Sequence, residues 1–130
     1  MPDSIFTLSS ESTEVERLSF VSDVMAAAKE IGIVTGLIDF QQFASLDEAF
    51  QSDDWEHVIK AITEPALRSV VIFENVDAMS HEDCSHAYTL RTILTTANEN
   101  VAAIFTGKEA SLHAMFNDSN APFYSSHFPL

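Results

Sequence analysis

The stretch SVVIF at residues 69–73, together with its counterpart VAAIF at 101–105, decides how this 130-residue chain folds. Each is a short β-branched, aliphatic and aromatic run without polar alternation, which is the pattern of a strand covered on both faces. A helix-length interval separates the two, and Thr106-Gly107 closes the second as a strand end. Strands alternating with helices imply right-handed crossovers and a parallel sheet between helical layers.

Toward the N-terminus, Ile5-Phe6-Thr7-Leu8 reads as a first strand, stopped by the polar run Ser9-Ser10-Glu11-Ser12-Thr13. Thr13 and Glu16 form a capping box for a helix from about Glu14 to Ile31. Its inner face carries Leu18, Val21, Met25 and Ala28, Lys29 sits in the last turn, and Gly32 is the stop. Ile33 to Phe40 is the second strand, with Asp39 near its far end. Ser45 with Glu48 and Asp53 with Glu56 are two further helix starts, so the chain here forms either two short helices or one broken one. Trp55, Val58, Ile59 and Ile62 mark the inner face of the later piece, with Trp55 as a core plank, and Pro65 ends it.

Beyond residue 79, Ser80 and Asp83 open a helix with Ala87, Leu90, Leu94 and Ala97 inward. A last helix, Glu109 to Phe116, points Leu112, Met115 and Phe116 inward. Residues 117–122 are a loop, and His127 to Leu130 offers a fifth strand. The expected fold is therefore α/β: a three-layer αβα domain over residues 1–130, with a mainly parallel sheet of about five strands.

Composition narrows the function. Six Lys and Arg against twenty Asp and Glu give a formal net charge of −14. That field repels nucleic acid and anionic membranes, so direct binding to either is not expected. Solubility accounts for most acidic surfaces, and a face that mimics DNA toward a basic partner is the alternative. Glycines number three, Gly32, Gly36 and Gly107, which leaves no material for a glycine-rich loop. One cysteine, Cys84, suits a reducing compartment, and the cytoplasm is the expected location. His81-Glu82-Asp83-Cys84-Ser85-His86 gathers metal-ligating types, but a closed site takes four ligands, and His86 points away from the face that His81 and Cys84 share. A solvated helix start is the simpler reading, with no metal and an inert Cys84.

Several stretches together resemble the core of a P-loop ATPase of the AAA+ group. IFTLSSESTEVERLSFVSDVMAAAKEIGIVTGLIDF is similar to its first strand, phosphate loop, first helix and second strand. SVVIFENVDAM looks like its Walker B strand, and LRTILTTANENVAAIFTGKEASLHAMFNDSNAPFY like the segment through its fourth strand to an AlaProPheTyr loop. The resemblance implies a RecA/AAA+-like core without the helical lid. It also implies a lost active site, because the phosphate loop GxxxxGK(S/T) uses bare backbone N–H groups and a lysine to hold phosphates. Aligned on the helix start, Ser10 and Val15 replace the glycines, and Glu16 and Arg17 replace the Lys and Ser/Thr. At the Walker B position Glu74-Asn75 replaces AspGlu, and Thr106 occupies the polar position that ends the fourth strand.

The expectation is a non-enzymatic interaction or regulatory domain, without nucleotide or other cofactor. It would serve a protein partner: a true AAA+ ATPase, a target of one, or a second copy. Phe116, Phe123, Tyr124 and Phe128 are the candidate interface, since they crowd apolar side chains into a loop-like tail. A second resemblance, of residues 70–94 to the phosphoacceptor region of STAS regulatory domains, implies Ser80 as the acceptor, although a helix cap also explains that serine.

Overall fold

Parallel strands and helices alternate through the chain in a computed structural model, which describes residues 4–9, 14–63, 68–79, 85–96, 101–116 and 128–129. The order is β1 (Ser4–Ser9), α1 (Glu14–Glu30), β2 (Val34–Asp39), α2 (Leu46–Ala49), α3 (Asp53–Thr63), β3 (Ser69–Glu74), α4 (Ser85–Thr96), β4 (Val101–Gly107), α5 (Glu109–Phe116) and β5 (Phe128–Pro129). In the sheet the strands lie in the order β2-β3-β4-β1-β5, and every neighbouring pair is parallel.

Alternation along each strand separates two cores. Val71 and Phe73 of β3 and Ala103 and Phe105 of β4 join Val58 of α3 and Leu90 of α4 on one face. Ile72 and Ile104 pack with Val21 of α1 on the other. Phe73 and Phe105 stack with ring centroids 4.9 Å apart and planes 24° from parallel, both without solvent exposure.

Two glycines are set by their surroundings. Gly32 has φ +80°, and the N–H of Gly32 donates to the Lys29 carbonyl at 3.2 Å while that of Ile33 donates to the Ala28 carbonyl at 2.8 Å. This is a Schellman end, which needs a left-handed residue at that point. At Gly36 a Cβ would lie 3.3 Å from the Cα of Val58, so α3 rests on β2 at backbone distance.

Residues 40–56 resolve the open choice between one broken helix and two short ones: α2 and α3 are separate. Ser45 Oγ accepts from the Glu48 N–H at 3.2 Å, and Glu48 Oε2 accepts from the Ala44 N–H at 3.1 Å, so the expected box closes on the residue before the cap. The second start is corrected by one residue. Ser52 Oγ accepts from the Trp55 N–H at 3.2 Å, whereas Asp53 is already the first residue of α3. Serine and aspartate cap equally well, and here the capping bond falls to Ser52.

Trp55 is buried, as a core plank should be, and meets Phe50 edge-on at 4.4 Å. Phe50 also stacks on His86 at 4.8 Å, and His86 Nε2 lies 2.9 Å from Asp47 Oδ1, which ties α2 to α4. β2 ends at Asp39 rather than Phe40, because the Asp39 carboxylate accepts from the Gln41 N–H and starts a 3₁₀ turn over Phe40–Gln42. Of the expected strand from His127 to Leu130, Phe128 and Pro129 are described, and they pair with β1, Phe6 opposite Phe128. Ser80, His81 and Cys84 lie outside the described residues, as do Phe123 and Tyr124.

Candidate functional site

A site in an open parallel sheet forms at the carboxyl ends of the strands, where successive connections leave in opposite directions. Here β1 connects to β2 at one edge, and β4 connects past β1 to β5 at the other. The carboxyl ends of β1 and β4 therefore flank the crevice, with Ser9 beside Gly107 in register and Asp39 of β2 level with Glu74 of β3.

Beside that crevice, at the carboxyl ends of β2, β3 and β4, stands a hydrogen-bonded polar cluster. Asn75 turns the chain out of β3 with φ +57°, a left-handed conformation that asparagine tolerates better than most residues. Its backbone N–H donates to Thr106 Oγ1 at the end of β4, at 3.1 Å. Its side-chain Nδ2 donates to Asp39 Oδ1 at the end of β2, at 2.8 Å, and that same oxygen accepts from the Gln41 N–H at 3.0 Å. Beyond the strands, Asp77 Oδ1 accepts from the Lys108 N–H at 2.9 Å, which clasps the 3₁₀ turn Val76–Met79 to the exit of β4. Thr106 is fully buried, and Glu74 and Asn75 are buried almost as completely.

Of the residues singled out from the sequence, Glu74, Asn75 and Thr106 are brought together. Alternation puts Glu74 and Thr106 on the face that α1 covers, beside Ile72 and Ile104. Val15, Glu16 and Arg17 occupy the first turn of α1, which starts at Glu14 just after β1 and so lies at the carboxyl end of the sheet. Ser10 lies outside the described residues, and Phe116 and Phe128 are placed as the last residue of α5 and the first of β5. Asp39 and Asp77 are members that sequence reading left out of the site. A carboxylate at a strand end, as Asp39, or three residues beyond one, as Asp77, is the signal that finds them.

Chemically, the hydrogen bonds of Asp39, Asn75 and Thr106 join the exits of three strands. Thr106 Oγ1 and Asp39 Oδ1 serve as backbone and side-chain caps, and Asp39, Glu74 and Asp77 place three carboxyl groups at this end of the sheet. Among the described residues no group of three or more His, Cys, Asp or Glu side chains is placed to hold a metal ion. No described helix is long and apolar enough to cross a membrane. Compared with models of known protein families and with curated proteins, the sequence matches none.

Proposed function

We propose that this domain is a non-enzymatic protein-interaction or regulatory module, built on an AAA+-like core that has lost nucleotide binding and hydrolysis. The observation that carries the reading is the network of Asn75, Asp39 and Thr106 that ties the ends of β2, β3 and β4 together beside the switch point. In the family that the sequence resembles, a strand lies between the phosphate-loop strand and the Walker B strand. The position of β4 between β1 and β3 supports the likeness. Glu16 at the lysine position of the first helical turn adds negative charge where the outer phosphates of ATP would lie. With its chemistry gone, the surface is what remains for the domain to use, and a protein partner is the occupant this reading assigns to it.

A thermal-shift titration with Mg²⁺ and ATP tests this. A nucleotide at a hundredfold excess over its Kd stabilises a fold by about 2.7 kcal/mol, a shift of several degrees for a domain this size. The expected result is no saturable shift at millimolar ATP or ADP. A saturable rise in Tm would overturn the lost-site reading.

A further inference from the structure

The two edges of the sheet are not alike. β5 carries Pro129, which lacks an N–H and makes its edge a poor template for another chain. β2, at the opposite edge, is six residues long and keeps one register with β3 from Val34 to Asp39, without a bulge to twist it away. It contains no lysine, arginine or proline, and Asp39, its last residue, is its one charge. Edge strands are usually blunted by such devices, and β2 lacks them.

The backbone of β2 shows what its edge offers. The Val34 N–H donates to the Arg68 carbonyl at 3.0 Å, on the β3 side. In a parallel pair alternate residues turn their groups to the same neighbour, so Val34, Gly36 and Ile38 bond toward β3 while Thr35, Leu37 and Asp39 direct theirs outward. Among the described residues no strand pairs on that side. Thr35, Leu37 and Asp39 are partly exposed along it.

Sterics and charge select the occupant. α3 lies over β2, with Val58 at backbone distance from Gly36. A second copy pairing edge to edge would set the two β2 strands about 4.8 Å apart and crowd the two α3 helices, which rest mainly on β2, against each other near that edge, whereas helices pack at about 8–10 Å. A lone extended strand brings no second helix and fits. Since β2 and β3 are parallel, α3 must run back along β2, which places its exposed Asp53, Asp54 and Glu56 toward the Asp39 end. The exposed Lys60 and Arg68 lie toward the Val34 end. The edge is thus graded from acidic to basic, in a molecule of net charge −14.

We propose that the outer edge of β2 is a strand-addition site for an extended segment of a protein partner, with cationic side chains on the part beside Asp39. This deepens the reading of the domain as an interaction module and rests on it. Main-chain hydrogen bonds from Thr35, Leu37 and Asp39 hold the segment, and the charge gradient sets its direction. Side chains that point under α3 must be small.

Two blocked ten-residue peptides test the proposal, each alternating valine or threonine with charged residues. One has lysines in its N-terminal half and glutamates in its C-terminal half; the other has the reverse. Fluorescence anisotropy is expected to show saturable binding of one in preference to the other, the first for antiparallel pairing and the second for parallel. Methylating alternate backbone nitrogens of the bound peptide, or Thr35→Pro in the protein, is expected to weaken binding at least about tenfold, the equivalent of one or two lost hydrogen bonds. The methylated peptide acts on the unaltered protein, so the test survives if Thr35→Pro fails to fold. Absence of binding, equal binding of both peptides, or indifference to methylation would overturn the proposal. So would a dimer in sedimentation that Thr35→Pro dissolves, which would place a second copy on the edge. Nucleotide binding in the thermal-shift titration would instead sink the lost-site reading and leave the peptide result standing.

Discussion

Replacing Phe73 by alanine is expected to lower stability by about 3–5 kcal/mol, the range for truncating a buried aromatic. The side chain has no solvent exposure and stacks on Phe105 at 4.9 Å, so the change loses both the transfer energy and the ring contact. Little can move in to fill the space. β3 is hydrogen-bonded to β2 on one side and β4 on the other, and the adjoining Ile38, Met79 and Leu90 are themselves fully buried. Natural domains hold about 5–15 kcal/mol in all, so the variant is left near the margin. At about 4 °C per kcal/mol, between the values for smaller and larger domains, Tm falls by roughly 12–20 °C. Phe105→Ala is expected to behave alike, and the double variant to lose about 0.5–1.5 kcal/mol less than the sum, since the ring pair is lost once. A melting point for Phe73→Ala within about 4 °C of wild type would show that the stack is not the centre of the core.

The parts of the fold legible in the sequence are those where one physical signal acts alone. Uninterrupted apolar runs mark β3 and β4 because a strand covered on both faces has no polar positions to dilute the pattern. Ala87, Leu90 and Leu94 on α4, and Val58 and Ile62 on α3, stand out because buried helix faces recur at three and four residues, and all five are buried. Gly32 is legible because few residues other than glycine end a helix in the left-handed region.

Where two signals compete, sequence reading slips by a residue. Ser52 and Asp53 are both good helix caps, and only the hydrogen bond from the Trp55 N–H decides between them. Phe40 continues the apolar pattern of β2, yet the Asp39 side chain captures the Gln41 N–H and turns the chain first.

The candidate site is less legible, for a different reason. Glu74, Asn75 and Thr106 lie 32 residues apart from first to last, and strand-end position is enough to select them. That Asn75 reaches Asp39, 36 residues earlier, depends on β2 and β3 being neighbours in register. Local sequence carries no trace of that contact. The left-handed φ of Asn75 is equally silent, because asparagine is common in many turn conformations. The graded edge of β2 needs both the strand order and the return of α3, which become visible once the topology is known.

Asn75→Val is the sharpest test of whether the strand-end cluster is a structural clasp. Valine has its Cβ branched where φ +57° leaves least room, and holding a non-glycine residue in such a conformation costs about 1–3 kcal/mol. The substitution also removes the Nδ2 donor that Asp39 Oδ1 accepts at 2.8 Å, worth about 1 kcal/mol more. Together the expected loss is about 2–4 kcal/mol. Asn75→Gly separates the two contributions: it relieves the backbone and removes the side-chain bond to Asp39, so about 1 kcal/mol should be lost. Thr106→Val addresses the other half of the clasp. It keeps the shape of the side chain but strips the acceptor from the buried Asn75 N–H, with an expected cost of about 1–3 kcal/mol, while Thr106→Ser, which retains the hydroxyl, costs less. Denaturant unfolding of the four variants gives the comparison directly. Equal stability of Asn75→Val and Asn75→Gly would mean that the turn is not strained, and a Thr106→Val variant as stable as wild type would mean that its hydroxyl does not cap the end of β3. A destabilised Asn75→Val beside a milder Asn75→Gly would assign the polar groups at these strand ends to holding β2, β3 and β4 together.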